Sequence, residues 1–198
     1  MMVFFKPRLV FLSNPKTATT AYQAALGHRA DLVISGPPGL KHASLRRYQR
    51  FIQPMYKKVL DADLEVLVVV REPISWLGSW YRYRRRSQLA GHPNSTKYLS
   101  FDDFVRAYCL DLPPPCANVG AQEHFVKNAP KNRAADHIFA YENQDGLQRF
   151  LKERIGPVPS IPICNSSAEA DLSLASATEA QLRKKHAEIF DLYERLQR

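Results

Sequence analysis

Between residues 9 and 20 the chain reads Leu-Val-Phe-Leu-Ser-Asn-Pro-Lys-Thr-Ala-Thr-Thr, an apolar run passing into a hydroxyl cluster that contains a single cation, Lys16. Those residue types suit the binding of an anion. The first amides of a helix lack internal partners, and the helix dipole favours negative charge beside them. The expected ligand carries phosphate. A second cation, Arg71, closes the strongest apolar run of the chain, and Ser79 follows it by eight positions. His42, next to Lys41 in a polar stretch near a turn, titrates near neutrality and suits general-base work.

In the phosphate loop of nucleotide hydrolases a glycine and a lysine precede the Ser or Thr that holds magnesium. Here no glycine flanks Lys16, and Arg71 stands where a metal-binding Asp is expected. Magnesium-dependent hydrolysis of a nucleoside triphosphate is therefore disfavoured.

The elements that must carry these residues alternate. Residues 9–13 read as a strand covered on both faces, and 19–26 as a helix ended by Gly27. Residues 32–34 make a short strand before the turn-forming Gly36-Pro37-Pro38-Gly39, and 46–60 a helix that Pro54 should break or kink. The β-branched run 65–70 reads as a central strand of a parallel sheet, with Arg71 at its C-terminal end. Pro73 opens the next helix, whose end is basic through Arg82, Arg84, Arg85 and Arg86. Ser100 with Asp103 caps a further helix, 137–141 is a strand, and Gly156 stops a helix carrying Leu147, Phe150 and Leu151. Ser176 with Glu179 reads as the capping box of one last helix.

With 198 residues, 45% of them hydrophobic, the chain is long enough for one substantial core. Its formal charge of +9 points to an anionic ligand, an acidic acceptor or loose attraction to polyanions. Cys109, Cys116 and Cys164 form no closely spaced pair, so reduced thiols and a cytoplasmic location are expected. The apolar N-terminal residues, interrupted by Lys6, Pro7 and Arg8, read as a first strand rather than a signal peptide. No run reaches the roughly 18 apolar residues of a membrane span.

Two of these segments resemble the sulfotransferases that use 3'-phosphoadenosine 5'-phosphosulfate (PAPS). Pro15-Lys16-Thr17-Ala18-Thr19-Thr20 looks like their 5'-phosphosulfate loop, and Arg71-Glu72-Pro73 with Ser79 looks like their 3'-phosphate segment. Weaker echoes are Lys41-His42, Tyr141-Glu142 and Asn165-Ser166. The resemblance implies one domain over 1–198. It implies a three-layer α/β/α fold with a central parallel sheet, of the phosphate-loop nucleoside triphosphate hydrolase type. It also implies a cytoplasmic, bacterial enzyme moving a sulfuryl group from PAPS, the co-substrate, to a hydroxyl or amine of a small-molecule or glycan acceptor. Neither a metal, a specific nucleic acid nor a membrane span is expected.

By the same resemblance Lys16 contacts the oxygen bridging sulfate and phosphate. Pro15, Thr17, Ala18, Thr19 and Thr20 form the loop around the 5'-phosphate, Arg71 and Ser79 take the 3'-phosphate, and His42 is the base. Three features depart from the family pattern. Ala18 replaces a loop glycine, which weakens binding if that position needs positive φ. Glu72 replaces the commoner Asp, and no Arg-Lys-Gly segment closes over the nucleotide. A nucleotide-dependent kinase and a non-catalytic domain that binds nucleotide or polyanion remain as alternatives. His42 as a plain structural histidine, the 82–86 arginines as a solvated face, and Trp76 and Trp80 as core or pocket-wall residues are the bland readings beside these.

Overall fold

A computed structural model of the chain describes residues 1–128, 133–161 and 169–197. In chain order the elements begin with β1 (Met2–Phe4), β2 (Leu9–Phe11), α1 (Thr19–Leu26), β3 (Leu32–Val33), α2 (Pro38–Lys41), α3 (Leu45–Arg47), α4 (Gln53–Leu60) and β4 (Glu65–Val70). Then come α5 (Pro73–Arg84), α6 (Phe101–Tyr108), α7 (Glu123–Val126), β5 (Lys127–Asn128), β6 (Arg133–Ala134), β7 (His137–Ala140), α8 (Gln144–Ile155), α9 (Ser176–Lys185) and α10 (Ala187–Leu196). They form two compact units, Met1–Arg71 with Ala121–Cys164, and Glu72–Gly120 with Asn165–Arg198.

The first unit holds a sheet in the order β3-β1-β2-β4-β7. Strands β2, β4 and β7 run parallel, but β1 pairs antiparallel with both β2 and β3, and β5 pairs antiparallel with β6. Most pairings among the described strands are thus antiparallel. The expected central parallel sheet of the phosphate-loop hydrolase type is corrected to a mixed sheet with helices. The cause is local. Two apolar triplets flank Phe5-Lys6-Pro7-Arg8, Arg8 takes a left-handed φ of 53°, and its N–H closes on Phe5 O at 2.9 Å. The chain therefore reverses as a hairpin before β2 begins.

Arg71 follows β4, which lies between two parallel neighbours. Phe11, Tyr22, Leu26, Leu67, Val69, Leu147 and Leu151 pack as the core, so α1 and α8 both rest on the sheet. Burying side chains of this size stabilises the fold by about 1.5–3 kcal/mol each.

Pro54 does not end its helix. It lies in the first turn of α4, and the chain from α3 continues through a widened π turn, Tyr48–Ile52, in which Gln53 N–H reaches Tyr48 O. Proline lacks the N–H of a regular turn and crowds the preceding carbonyls, and a π turn relieves both.

In the second unit Trp76, Leu77, Tyr81, Phe101, Phe104, Val105, Leu182, Ile189 and Phe190 are buried. The Ser100 cap forms as expected, its Oγ accepting from Asp103 N. The Ser176 capping box does not. Ser176 is already helical, Ala175 is the cap residue, and its N–H goes to Asp102 Oδ1 at 3.0 Å. The single last helix is two, α9 and α10, broken at His186, whose ring stacks on Tyr108 at 4.8 Å. No helix among the described residues is long and apolar enough to cross a membrane.

Candidate functional site

Strand β2 delivers the chain into a turn ending at α1, and this turn is the centre of the site. Lys16 and Ala18 both take left-handed backbone conformations, φ 66° and 57°. Left-handed residues recur in the backbone turns that bind anions, and the N-terminus of α1 adds its dipole here. Ala18, the cap residue of α1, offers no side-chain cap to the first amides.

The threonines divide in function. Thr17 is buried and its Oγ1 donates to Asn14 O at 2.8 Å, while Thr19 donates to the same carbonyl at 3.4 Å. Those two hydroxyls hold the turn in shape. Thr20 is exposed, and its Oγ1 accepts from Lys41 Nζ at 3.1 Å. A hydroxyl that accepts from a lysine keeps its own hydrogen for a ligand.

Arg71 is gripped through its backbone. Gln122, almost fully buried, accepts from Arg71 N at 2.9 Å through Oε1 and donates to Arg71 O at 2.9 Å through Nε2. The same Oε1 accepts from Asn14 Nδ2 at 3.1 Å, and Asn14 Nδ2 also reaches Val69 O at 2.9 Å. One amide therefore fixes Arg71 to the turn that carries Lys16. The Arg71 guanidinium stands 4.7 Å over the Tyr141 ring, and its Nη1 comes within 3.5 Å of Lys16 O. Stacking on an aromatic face fixes the plane of the guanidinium beside the turn.

His42 ends α2 on the other side of the turn. Its Nδ1 lies 2.7 Å from Ser13 O. A carbonyl only accepts, so Nδ1 carries the hydrogen of the neutral ring and Nε2 keeps its lone pair. Burial pushes the pKa of His42 below its usual 6.5, with a smaller push from Lys41 and partial opposition from the Ser13 bond. The ring is neutral at pH 7, as a base must be.

Lys16, Thr20, Lys41, His42 and Arg71 thus meet around one turn of the first unit. Pro15 lies within that turn, half-buried. Ser79 lies half-buried on α5 in the second unit. Glu72 caps α5, its carboxylate accepting from Ile74 N at 3.1 Å and Ser75 N at 2.6 Å. Asn165-Ser166 and Cys164 lie outside the described residues.

Other singled-out residues take structural places. His137 Nε2 sits 2.6 Å from Glu65 Oε2, at the strand ends opposite Arg71, where Arg154 also joins Glu65. Trp76 is buried edge-to-face with Trp80 and Tyr108. Arg84 is buried too, donating to Pro115 O and to Asn118 O at 2.8 Å, so it clasps the segment beyond the triple proline rather than facing solvent. Sequence reasoning missed Asn14 and Gln122 altogether.

The chain matches no family model, no curated protein and no solved structure. Among the described residues no group of three His, Cys, Asp or Glu side chains is placed to hold a metal ion.

Proposed function

We propose that the turn at 13–20 binds the phosphosulfate end of a PAPS-type donor and that the protein transfers its sulfuryl group to an acceptor hydroxyl. One observation carries the reading. Two further cations, Lys41 and Arg71, bond to the turn that holds Lys16, beside a neutral histidine with an available Nε2. A site that only stored anions would gain nothing from a neutral imidazole held in one tautomer.

On this reading the amides of the turn and the Thr20 hydroxyl orient the 5'-phosphate, and Arg71 takes the 3'-phosphate. His42 Nε2 removes the acceptor proton as the acceptor oxygen forms its bond to sulfur. The bond from sulfur to the bridging oxygen breaks, and its electron pair stays on the departing phosphate, whose charge Lys16 offsets. The protein supplies placement and charge, as it does in phosphoryl transfer. The role given to Ser79 rests on the sequence resemblance alone.

The test is thermal unfolding with adenosine 3',5'-bisphosphate beside ATP with magnesium, followed by a sulfuryl-transfer assay. Stabilisation by the bisphosphate, abolished in Lys16→Ala, is expected. Stabilisation by ATP with magnesium alone would overturn the reading in favour of a kinase.

A further inference from the structure

Away from the site, α4 and the π turn before it expose a row of large apolar side chains. Phe51 is 65% exposed, Met55 49%, Val59 73% and Leu60 50%. The first three follow at i, i+4 and i+8, so they share a face. The inward face carries Leu45, Tyr48 and Tyr56, all buried. Single exposed apolar residues are ordinary, but a row of them along one helix is not.

Within the segment that carries this row the charge has one sign. Between Asp31 and Asp61 the chain contains no Asp or Glu but has Lys41, Arg46, Arg47, Arg50, Lys57 and Lys58. Arg46, Arg47, Arg50, Lys57 and Lys58 are exposed. Lys57 is paired with Asp61 at 3.2 Å and Asp63 at 3.0 Å, whereas among the described residues Arg46, Arg50 and Lys58 have no carboxylate within ion-pair distance. The Arg50 guanidinium lies 5.1 Å from the centre of the Phe51 ring, so cation and apolar group are presented together.

We propose that the face formed by Phe51, Met55 and Val59 with Arg46, Arg50 and Lys58 docks on an anionic lipid surface. Exposed apolar groups beside uncompensated cations are what an interfacial helix needs, since the former enter the acyl boundary and the latter meet lipid phosphate and carboxylate. A second copy of the chain would set Arg50 and Lys58 against cations of its own kind, which electrostatics opposes. A nucleic acid would take the cations but offers nothing to the aliphatic Met55 and Val59, which neither stack nor hydrogen-bond. The helix lies along the surface rather than across it.

Flotation of the full chain with phosphatidylcholine vesicles, with and without phosphatidylserine, tests this. Binding that requires phosphatidylserine and weakens with salt is expected. Replacing Phe51 and Val59 by Ser should weaken it about tenfold or more. Arg50→Glu with Lys58→Glu should weaken it by at least about fivefold for each cation removed. Both variants alter exposed side chains only, and their thermal unfolding should match the parent. No flotation with phosphatidylserine would overturn the proposal. So would flotation that the Ser variant leaves unchanged, because charge alone would then account for it. A dimer on gel filtration that the Ser variant dissolves would assign the face to a second copy instead.

Discussion

The Nδ1 of His42 lies 2.7 Å from the carbonyl oxygen of Ser13, and that contact decides what the other ring nitrogen can do. With the hydrogen held on Nδ1, Nε2 presents a lone pair. Because burial holds the pKa below the ordinary value, the lone pair stays available down to mildly acidic pH. In a sulfuryl-transfer assay kcat/KM should fall on the acid side with a midpoint below 6.5, and His42→Ala should lose about a hundredfold or more while keeping bisphosphate affinity. Unchanged turnover in that variant would remove His42 from the mechanism.

The same group sets a stability window. His42 binds a proton more readily unfolded than folded, so its contribution is whole above the unfolded value near 6.5 and is lost as pH falls through the folded value. Denaturant midpoints measured downward from pH 7 should decline less steeply in His42→Gln than in the parent.

Gln122 is the prediction that separates the site from ordinary packing. Its amide makes three hydrogen bonds, two to Arg71 and one to Asn14, in a buried place. Gln122→Ala leaves those groups unsatisfied and should cost about 1–3 kcal/mol. For a chain of this length that lowers Tm by about 2–12 °C, readable by calorimetry. Bisphosphate affinity should fall with it, although Gln122 itself offers a phosphate nothing that the backbone does not.

Ala18 takes a φ of 57°, a conformation glycine adopts freely and alanine does not. Ala18→Gly should therefore raise stability by about 1 kcal/mol, or Tm by a few degrees, where a glycine placed in a helix would do the reverse. A lower Tm would show that packing of the Ala18 methyl group against the core outweighs the backbone term.

Lys41 offers its ammonium to Thr20 at 3.1 Å. Lys41→Met keeps the length and removes the charge, and should weaken adenosine 3',5'-bisphosphate binding about tenfold. Titration calorimetry at two salt concentrations would also show a shallower salt dependence than in the parent.

Local signals told much of the fold, and long-range ones did not. The β-branched run of β4, the Gly156 stop, the Ser100 cap and the strand at 137–140 are each set by a few adjacent residues, and each forms, whereas at Gly27 the backbone stays right-handed and runs on as a 3-10 turn through Arg29. The antiparallel β1 is set locally as well, by the hairpin at Phe5-Lys6-Pro7-Arg8, whereas the pairing of β2, β4 and β7 joins segments far apart in sequence. The break at His186 has no glycine or proline to announce it and depends on a ring stacked against Tyr108. In the site, Lys16, Arg71 and His42 could be chosen for their charge and acidity. Asn14 and Gln122 could not, because a neutral amide has no period and no charge, and its partners lie 55, 108 and 51 residues away in sequence.

The Gln122 clasp has a further consequence in the path of the chain. Arg71 is the last residue before the chain leaves the first unit, and Gln122 is the second after it returns at Ala121. The stretch Glu72–Gly120 is therefore an excursion whose two ends are tied at its base, in the manner of a stem beneath a loop. Lengthening or shortening that excursion costs little in closure entropy while its ends stay fastened. Its length can change without moving Arg71, whose position the stem holds.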